Sequence, residues 1–178
     1  MTLEGDATRP TSERAKEAIF SMIQFSLEGR RVLDLFAGSG QMALEALSRG
    51  ASDAVAVDSS AAACKIIVRN AEACGFRETL TVIPDKLPQA LRRLSGRKFD
   101  IVFIDPPYDA GLIPPVLKTL LELGLLSKYA YIVCESAKPE DVFGAENDLA
   151  AQFTVLKQTR YGAASVLLLR PSEDPENT

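Results

Sequence analysis

Phe99-Asp-Ile-Val-Phe-Ile-Asp-Pro-Pro-Tyr108 is the segment of this chain that indicates its architecture most directly. Its first six residues form a short apolar run, which is typical of a strand buried in a parallel sheet. Asp105 follows that run, so its carboxylate lies at the carboxyl end of a strand, where open α/β sheets bind ligands. Pro106 and Pro107 carry no backbone N–H and stiffen the loop, so carbonyl oxygens there can face a ligand. Tyr108 adds a flat ring on which a planar group can stack.

These groups together suit an exocyclic amino group on a planar ring. The Asp105 carboxylate and the Pro106 carbonyl can accept N–H bonds, and the Tyr108 ring can hold the plane. The sequence therefore predicts a catalytic loop formed by Asp105, Pro106, Pro107 and Tyr108 that directs methylation to an amino nitrogen. A base inside paired RNA is out of reach, so a nucleic-acid target would have to be single-stranded or flipped.

Composition excludes several other kinds of chemistry. The 178 residues contain no histidine, which removes Ser-His-Asp and Cys-His catalysis and H-E-x-x-H zinc sites. No apolar run approaches the roughly 20 residues that span a bilayer, and Met1–Asp6 has no signal-peptide pattern. We therefore expect a cytoplasmic protein, monomeric, with no metal and no membrane partner. The body of the chain is nearly neutral, which argues against strong non-specific binding of nucleic acid.

Strand and helix patterns alternate along most of the chain, which predicts a parallel sheet covered on both faces. Right-handed crossovers make such a sheet doubly wound. Strands are predicted over 32–36, 54–57, 80–83, 99–104 and 130–135, and helices over 11–24, 41–48, 61–74, 87–94 and 112–123, with Thr11 or Ser12 as the cap of the first helix.

The end of the chain has a different pattern. Two strand-like runs, 153–160 and 165–170, are separated by four residues, too few for a crossover helix, so they should pair as an antiparallel hairpin. The predicted fold class is therefore α/β, a doubly wound, mostly parallel seven-stranded sheet that ends in an antiparallel hairpin. We expect a single domain over 1–170 and a disordered acidic tail over 171–178.

A second segment, Asp34-Leu-Phe-Ala-Gly-Ser-Gly40, follows the first predicted strand and precedes a helix. Gly38 and Gly40 allow a tight turn and a close approach of the backbone to a ligand. Asp58 ends the second strand, where a carboxylate can accept both hydroxyls of a ribose. Asp85 follows the third strand and could accept an adenine amino group or simply cap the helix after it. The predicted cofactor-binding residues are Asp34, Phe36, Ala37, Gly38, Ser39, Gly40, Asp58, Ser59 and Asp85.

This glycine loop has two interpretations. Gly38-x-Gly40-x-x-Ala43 with Asp58 also satisfies the fingerprint of dinucleotide-binding proteins, so an NAD-dependent oxidoreductase is the alternative function. Two features favour a methyl donor. Asp34 suits a cationic methionine group better than a pyrophosphate, and the 105–108 loop has no role in hydride transfer.

Four segments in this order match a family pattern: Arg9-Pro-Thr-Ser-Glu-Arg-Ala-Lys-Glu-Ala-Ile-Phe20, Val32-Leu-Asp-Leu-Phe-Ala-Gly-Ser-Gly40, Leu44-Glu-Ala-Leu-Ser-Arg-Gly-Ala51 and the segment 99–108. Together they resemble the RsmD-like family, which methylates the exocyclic N2 of a guanine in small-subunit ribosomal RNA. The predicted sheet with its terminal hairpin is also the layout of class I S-adenosylmethionine-dependent methyltransferases.

The resemblance implies a role for each matched residue. The glycine loop and Asp34 would hold the methionine part of S-adenosylmethionine, Asp58 its ribose and Asp85 its adenine. The loop 105–108 would receive the amine. The substrate-binding residues implied are Arg9, Pro10, Thr11 and Tyr108.

The implied partner is ribosomal RNA or the small ribosomal subunit. Family members usually carry a basic β-hairpin ahead of the Arg-Pro-Thr motif, whereas Met1–Thr8 contains no Lys or Arg, so we expect no such hairpin here. Three alternatives remain open on the chemistry: a cofactor-binding module without turnover, methylation of DNA adenine, and methylation of protein glutamine.

Overall fold

A computed structural model describes residues 10–108 and 110–172 of the chain. The helices are α1 (Pro10–Ile23), α2 (Gln41–Ser48), α3 (Ala61–Cys74), α4 (Ile113–Glu122) and α5 (Asn147–Ala151), and the strands are β1 (Arg31–Leu35), β2 (Asp53–Asp58), β3 (Leu80–Pro84), β4 (Phe99–Ile104), β5 (Leu126–Ser136), β6 (Phe153–Tyr161) and β7 (Ala164–Pro171). Short 3₁₀ turns cover Gln24–Ser26, Gln89–Leu94 and Pro139–Val142.

The strands of the described residues form one seven-stranded sheet in the order β3-β2-β1-β4-β5-β7-β6. The first five strands in this spatial order, from β3 at the edge to β5, pair in parallel. Strand β7 is antiparallel to both of its neighbours, β5 and β6. The predicted α/β fold class, mostly parallel with a terminal antiparallel hairpin, is confirmed.

Side-chain alternation along β1 divides the apolar core into two layers. Leu33 and Leu35 face the layer under α4, whereas Val32 faces the layer under α1, α2 and α3. Burial on both faces explains why apolar residues occupy successive positions of this strand, at Val32 and Leu33. Phe20 of α1 and Phe103 of β4 pack with ring centroids 5.7 Å apart, which fixes the N-terminal helix on the sheet.

Several predicted bounds differ from the structure. The segment predicted as a helix over 87–94 forms a 3₁₀ turn from Gln89, and β5 begins at Leu126 rather than at Ala130. Helix α5 lies in a segment for which no element was predicted. Helix α1 already begins at Pro10, so neither Thr11 nor Ser12 is its cap; a proline in the first turn lacks only an N–H that would have no partner.

The C-terminal boundary of the domain lies further along the chain than predicted. β7 continues through Pro171, and the Ser172 N–H donates to the Gln152 carbonyl at 2.8 Å, so two residues assigned to the tail are ordered. The rest of the predicted tail, 173–178, lies outside the described residues.

Strand β6 forms one edge of the sheet. Its pairing with β7 shifts register between Val155 and Lys157, which marks a bulge. Val155 and Leu156 are 45% and 43% exposed, respectively, and Lys157 is also exposed.

Across the described ranges, none of the helices has both the length and the apolar character needed to cross a bilayer.

The turn between β1 and α2 can be tested by a pair of glycine substitutions. Gly40 and Gly75 both have φ of 77°, but a methyl group on Gly40 would lie 2.9 Å from Ile67 Cγ2, whereas one on Gly75 would meet no atom within 4 Å. We expect Gly75→Ala to lower the free energy of unfolding by about 1–2 kcal/mol through backbone strain alone. Gly40→Ala should lose a further 1–3 kcal/mol, roughly, through overpacking against Ile67.

Urea unfolding of both variants measures the difference. Equal losses would show that the contact with Ile67 does not constrain the turn.

Candidate active site at the carboxyl edge of the sheet

Acidic residues lie in a row at the carboxyl ends of neighbouring strands. Asp34 of β1 pairs in register with Ala56 of β2 and Phe103 of β4. Because side chains alternate with a period of two, Asp58 projects from the same face as Asp34. Asp105 directly follows β4, and its charge acts on Asp34. The structure therefore brings three of the predicted site carboxylates together.

A fourth acidic residue, Glu135, extends this row into β5 and was not predicted from the sequence. Val133 pairs with Phe103, and Glu135 lies two residues further along on the same face. No local pattern indicated Glu135, because a glutamate near the end of a predicted strand is usually an exposed surface residue.

Asp34 is the most deeply buried of these carboxyls, with 3% of its surface exposed. Burial raises its pKa from 3.8 to about 8; the N–H of Ala43, 3.0 Å from Oδ2, opposes this rise, and the charges of Asp105 and Asp58 add to it. The carboxyl is therefore mostly protonated at neutral pH unless a cation binds beside it.

The glycine loop has an unusual backbone. Phe36 has φ of 62°, Gly38 55° and Gly40 77°, so a bulky residue occupies the left-handed region together with two glycines. Such a conformation costs roughly 1–3 kcal/mol in a non-glycine residue and occurs mostly where a site requires it. A side chain added at Gly38 would meet nothing within 4 Å, so the backbone there borders open space.

Asp58 connects this loop to α3. Its Oδ2 accepts the Gly38 N–H and its Oδ1 accepts the Ser60 N–H, both at 2.8 Å. Ser60 caps α3 by accepting the Ala63 N–H, and Ser59 is exposed beside it. Asp58 thus links the carboxyl ends of β1 and β2, and further lone pairs of its two oxygens can accept donors from a ligand.

Asn70 supports the loop from α3, and sequence analysis missed it. Its Nδ2 donates to the Ser39 carbonyl at 3.0 Å. This contact joins residues 31 positions apart, so no local pattern could indicate it.

Asp85 lies at the end of β3, where its backbone N–H donates to the Asp58 carbonyl at 3.1 Å. Its Oδ1 accepts the N–H of Lys86, the next residue, and does not cap a helix. The Arg93 guanidinium lies 3.7 Å from Oδ2. Arg97, four residues further along, lies at the opposite edge of the sheet, where its guanidinium pairs with Asp53 at 2.8 Å.

A cavity of about 280 Å³ adjoins the predicted catalytic loop. Pro106, Pro107 and Tyr108 line one side, and residues from the end of β5 line the other. Pro106 is buried, whereas Asp105 and Tyr108 are exposed. The Tyr108 hydroxyl donates to Glu135 Oε1 at 2.9 Å and so bridges the cavity mouth. Burial raises the pKa of Glu135, and this hydrogen bond partly offsets the rise.

The predicted substrate-binding residues at the N-terminus are only partly covered. Arg9 lies outside the described residues, and Pro10 and Thr11 are the first two residues of α1. Their role stays a prediction.

Comparison with known proteins gives a family match. The model of the family described as "Conserved hypothetical protein 95" matches residues 1–170. The chain is 30% identical to "Uncharacterized methylase RP545" of Rickettsia prowazekii, covering 92% of this chain and 89% of that protein. It is 28% identical to ribosomal RNA small subunit methyltransferase D of Haemophilus influenzae, covering 93% and 84%, respectively.

The fold has close counterparts among solved structures. A conserved hypothetical protein from Streptococcus pyogenes superposes with a TM-score of 0.76 and 35% sequence identity, covering 88% of this chain and 95% of that chain.

Substitution of Asp34 by Asn should change how stability depends on pH. The folded carboxyl holds its proton up to about pH 8, whereas in the unfolded chain it releases it near 3.8. The folded state therefore binds more protons in this window, so this carboxyl lowers the free energy of unfolding as pH rises, by up to about 1.4 kcal/mol per pH unit. Asp34→Asn removes that loss while keeping an acceptor for the Ala43 N–H.

Denaturant unfolding of both proteins at pH 5 and pH 8 tests this expectation. The Asp34→Asn variant should gain stability relative to the parent chain at the higher pH; a difference that does not vary with pH would contradict a buried, titrating Asp34.

Proposed function

Because this chain belongs to the RsmD-like family of ribosomal RNA methyltransferases, as its sequence resemblance predicted, we propose that it methylates the exocyclic N2 of a guanine in small-subunit ribosomal RNA with S-adenosylmethionine as donor. The observation that carries this proposal is the arrangement at the carboxyl edge, where Asp34, Asp58 and Asp105 lie beside an open glycine loop.

The residues present fit this donor. S-adenosylmethionine is positively charged at sulfur, and a cation beside Asp34 favours the ionised form of that carboxyl, so this acidic cluster suits a cation better than an anionic ligand. Asp34 and the loop from Phe36 to Gly40 would hold its methionine part, and Asp58 and Asp85 would hold the ribose and the adenine. When bound, it supplies an electrophilic methyl group whose bond to sulfur breaks as the bond to nitrogen forms, leaving a neutral thioether.

The same arrangement argues against a dinucleotide. A pyrophosphate is bound by free N–H groups of a glycine loop and of the helix that follows it. Here the N–H groups of Gly38 and Ala43 already donate to the carboxylates of Asp58 and Asp34. A phosphate would meet those carboxylates instead of free donors, so hydride transfer with NAD is the weaker interpretation.

Asp105 and Pro106 activate the amine by positioning it. An amino group conjugated to a base is a poor nucleophile, because its lone pair is delocalised into the ring. Acceptance of its two N–H bonds by the Asp105 carboxylate and the Pro106 carbonyl favours a tetrahedral nitrogen with a localised pair. Positioning can supply roughly 7–11 kcal/mol, against about 1.5–3 kcal/mol for one charge-assisted hydrogen bond, so positioning is the larger contribution.

The nitrogen loses a proton after its lone pair has formed the bond to the methyl group. The methylated ammonium is very acidic, so an ionised Asp105 can accept its proton without being a strong base. Asp105 is exposed and can pass that proton on to water.

Tyr108 is proposed to hold the base. Its ring is 48% exposed, and its hydroxyl is fixed by the bond to Glu135. A face held in this way offers a stacking surface for a flipped base at a small cost in side-chain entropy.

Methyl transfer with ribosomal RNA tests the proposal. Labelled S-adenosylmethionine is incubated with small-subunit RNA, both naked and in assembled subunits, and the RNA is digested to nucleosides. We expect label in N2-methylguanosine, whereas label only in N6-methyladenosine or in no nucleoside would overturn the assignment.

Asp105→Ala should lower the transfer rate by at least roughly 10- to 150-fold, the equivalent of 1.5–3 kcal/mol. Isothermal titration should still detect S-adenosylmethionine binding to this variant. Asp148→Ala, an exposed aspartate of α5, is the matched control and should keep full activity. Lost donor binding in Asp105→Ala would count against its assignment to the amine.

Tyr108→Ala and Tyr108→Phe separate the ring from its hydroxyl. The alanine variant should weaken RNA binding by about 1–3 kcal/mol, the value of one base–aromatic stack, and the phenylalanine variant by much less. Titration of a fluorescent target RNA measures both, and equal affinities of the alanine variant and the parent chain would remove Tyr108 from the base pocket.

A further inference from the structure

The ionisable residues that line the cavity beside the catalytic loop include carboxylates but no basic group within the described part of the chain. Its ionisable lining residues, within the described part of the chain, are Tyr108, Glu135 and Asp141, and neither Lys nor Arg lines it. Such a cavity offers mainly hydrogen-bond acceptors and therefore suits a ligand that presents donors. Its volume of about 280 Å³ is just below the range of about 300–1,000 Å³ that is typical of ligand pockets, so a single planar ring system is a ligand of suitable size.

Glu135 lies beside the amine-binding corner. Ile104, the last residue of β4, pairs in register with Cys134 of β5, so Asp105, which directly follows β4, lies next to Glu135 of β5. Neighbouring strands are about 4.8 Å apart. The backbones of these two residues are therefore close enough for both carboxylates to reach one planar ligand.

The Tyr108 hydroxyl orients the Glu135 carboxylate without saturating it. The hydroxyl donates to Oε1 at 2.9 Å. An ionised carboxylate has about four lone-pair sites on its two oxygens, so it can accept a second donor from a ligand while this bond persists.

Guanine is the common base whose exocyclic amine adjoins a ring N–H. Its N1–H and N2–H groups are neighbouring donors on one edge. Adenine and cytosine instead present a ring-nitrogen acceptor next to their amine, which a carboxylate would repel.

Resting on the function proposed above, we propose that Glu135 is the residue that selects guanine, accepting its N1–H while Asp105 and the Pro106 carbonyl hold the N2 amine. The contact determines specificity and takes no part in bond formation. It couples base choice to the catalytic loop, because Tyr108 both stacks on the base and holds the selecting carboxylate.

A base analogue separates this role from a structural one. 2-Aminopurine keeps the exocyclic N2 amine but has an acceptor at N1. The parent chain should prefer target RNA with guanine over the same RNA with 2-aminopurine by roughly 10- to 150-fold in kcat/KM, the equivalent of one charge-assisted hydrogen bond. Glu135→Gln should bring the ratio of the two kcat/KM values to within a few-fold of one, because the carboxamide can turn its NH₂ towards the N1 acceptor of 2-aminopurine.

Glu140→Gln is the matched control, since Glu140 is exposed on the neighbouring 3₁₀ turn and the substitution makes the same change in charge. It should keep the preference of the parent chain. If Glu135→Gln turns over neither RNA, competition between the two RNAs for the variant loaded with S-adenosylhomocysteine gives the same ratio from binding.

The outcomes are distinct from those of the functional proposal. N2-methylguanosine formation with an unchanged guanine preference in Glu135→Gln would overturn this inference alone. Equal loss on both RNAs would make Glu135 a structural support for Tyr108 and would also overturn it. Absence of guanine methylation by the parent chain would remove the proposed function and this inference with it.

Discussion

The geometry of the site depends on the two hydrogen bonds that the Asp58 carboxylate accepts. It accepts N–H groups from the turn after β1 and from the turn after β2, so a single side chain fixes two strand ends relative to each other. The Gly38 N–H lies in a loop with left-handed residues, where no regular ladder could supply an acceptor. Without Asp58, the loop that contains the strained backbone of Phe36 would lose the hydrogen bond that holds Gly38, two residues further along.

Much of this fold could be predicted from sequence because its signals are local. Buried parallel strands such as Phe99–Ile104 are apolar on both faces, and the glycines after β1 indicate a tight turn there. The segment over 87–94 was misassigned because its apolar spacing is shared by a 3₁₀ turn and an α-helix. Near the start of β5, the exposed residues Lys128 and Tyr129 interrupt the apolar pattern that identifies a strand.

The candidate site was only partly predictable for a similar reason. Asp34 and Asp58 lie near the carboxyl ends of β1 and β2, and Asp105 directly follows β4, so all three are indicated by position. Glu135 and Asn70 become part of the site only through contacts across 27 and 31 residues, respectively. Periodicity carries no information on such pairs, and the left-handed φ of Phe36 contradicts the preference of its residue type.

The row of acidic groups also bears on how a polyanionic substrate could approach. Carboxylates at the carboxyl edge attract a sulfonium and N–H donors but repel phosphate. A single-stranded or flipped base can enter such a site while its backbone stays outside, so the electrostatics disfavour a base that is still held inside a paired stem.

Strand β6 presents an open edge of nine residues, with Val155 and Leu156 exposed. A regular edge of that length would be a template on which a second molecule could add its own strand. The bulge between Val155 and Lys157 breaks the spacing of hydrogen-bonding groups at the same place where a lysine adds charge. The bulge that interrupts the pairing of β6 with β7 thus also hinders the addition of a further strand along this exposed apolar edge.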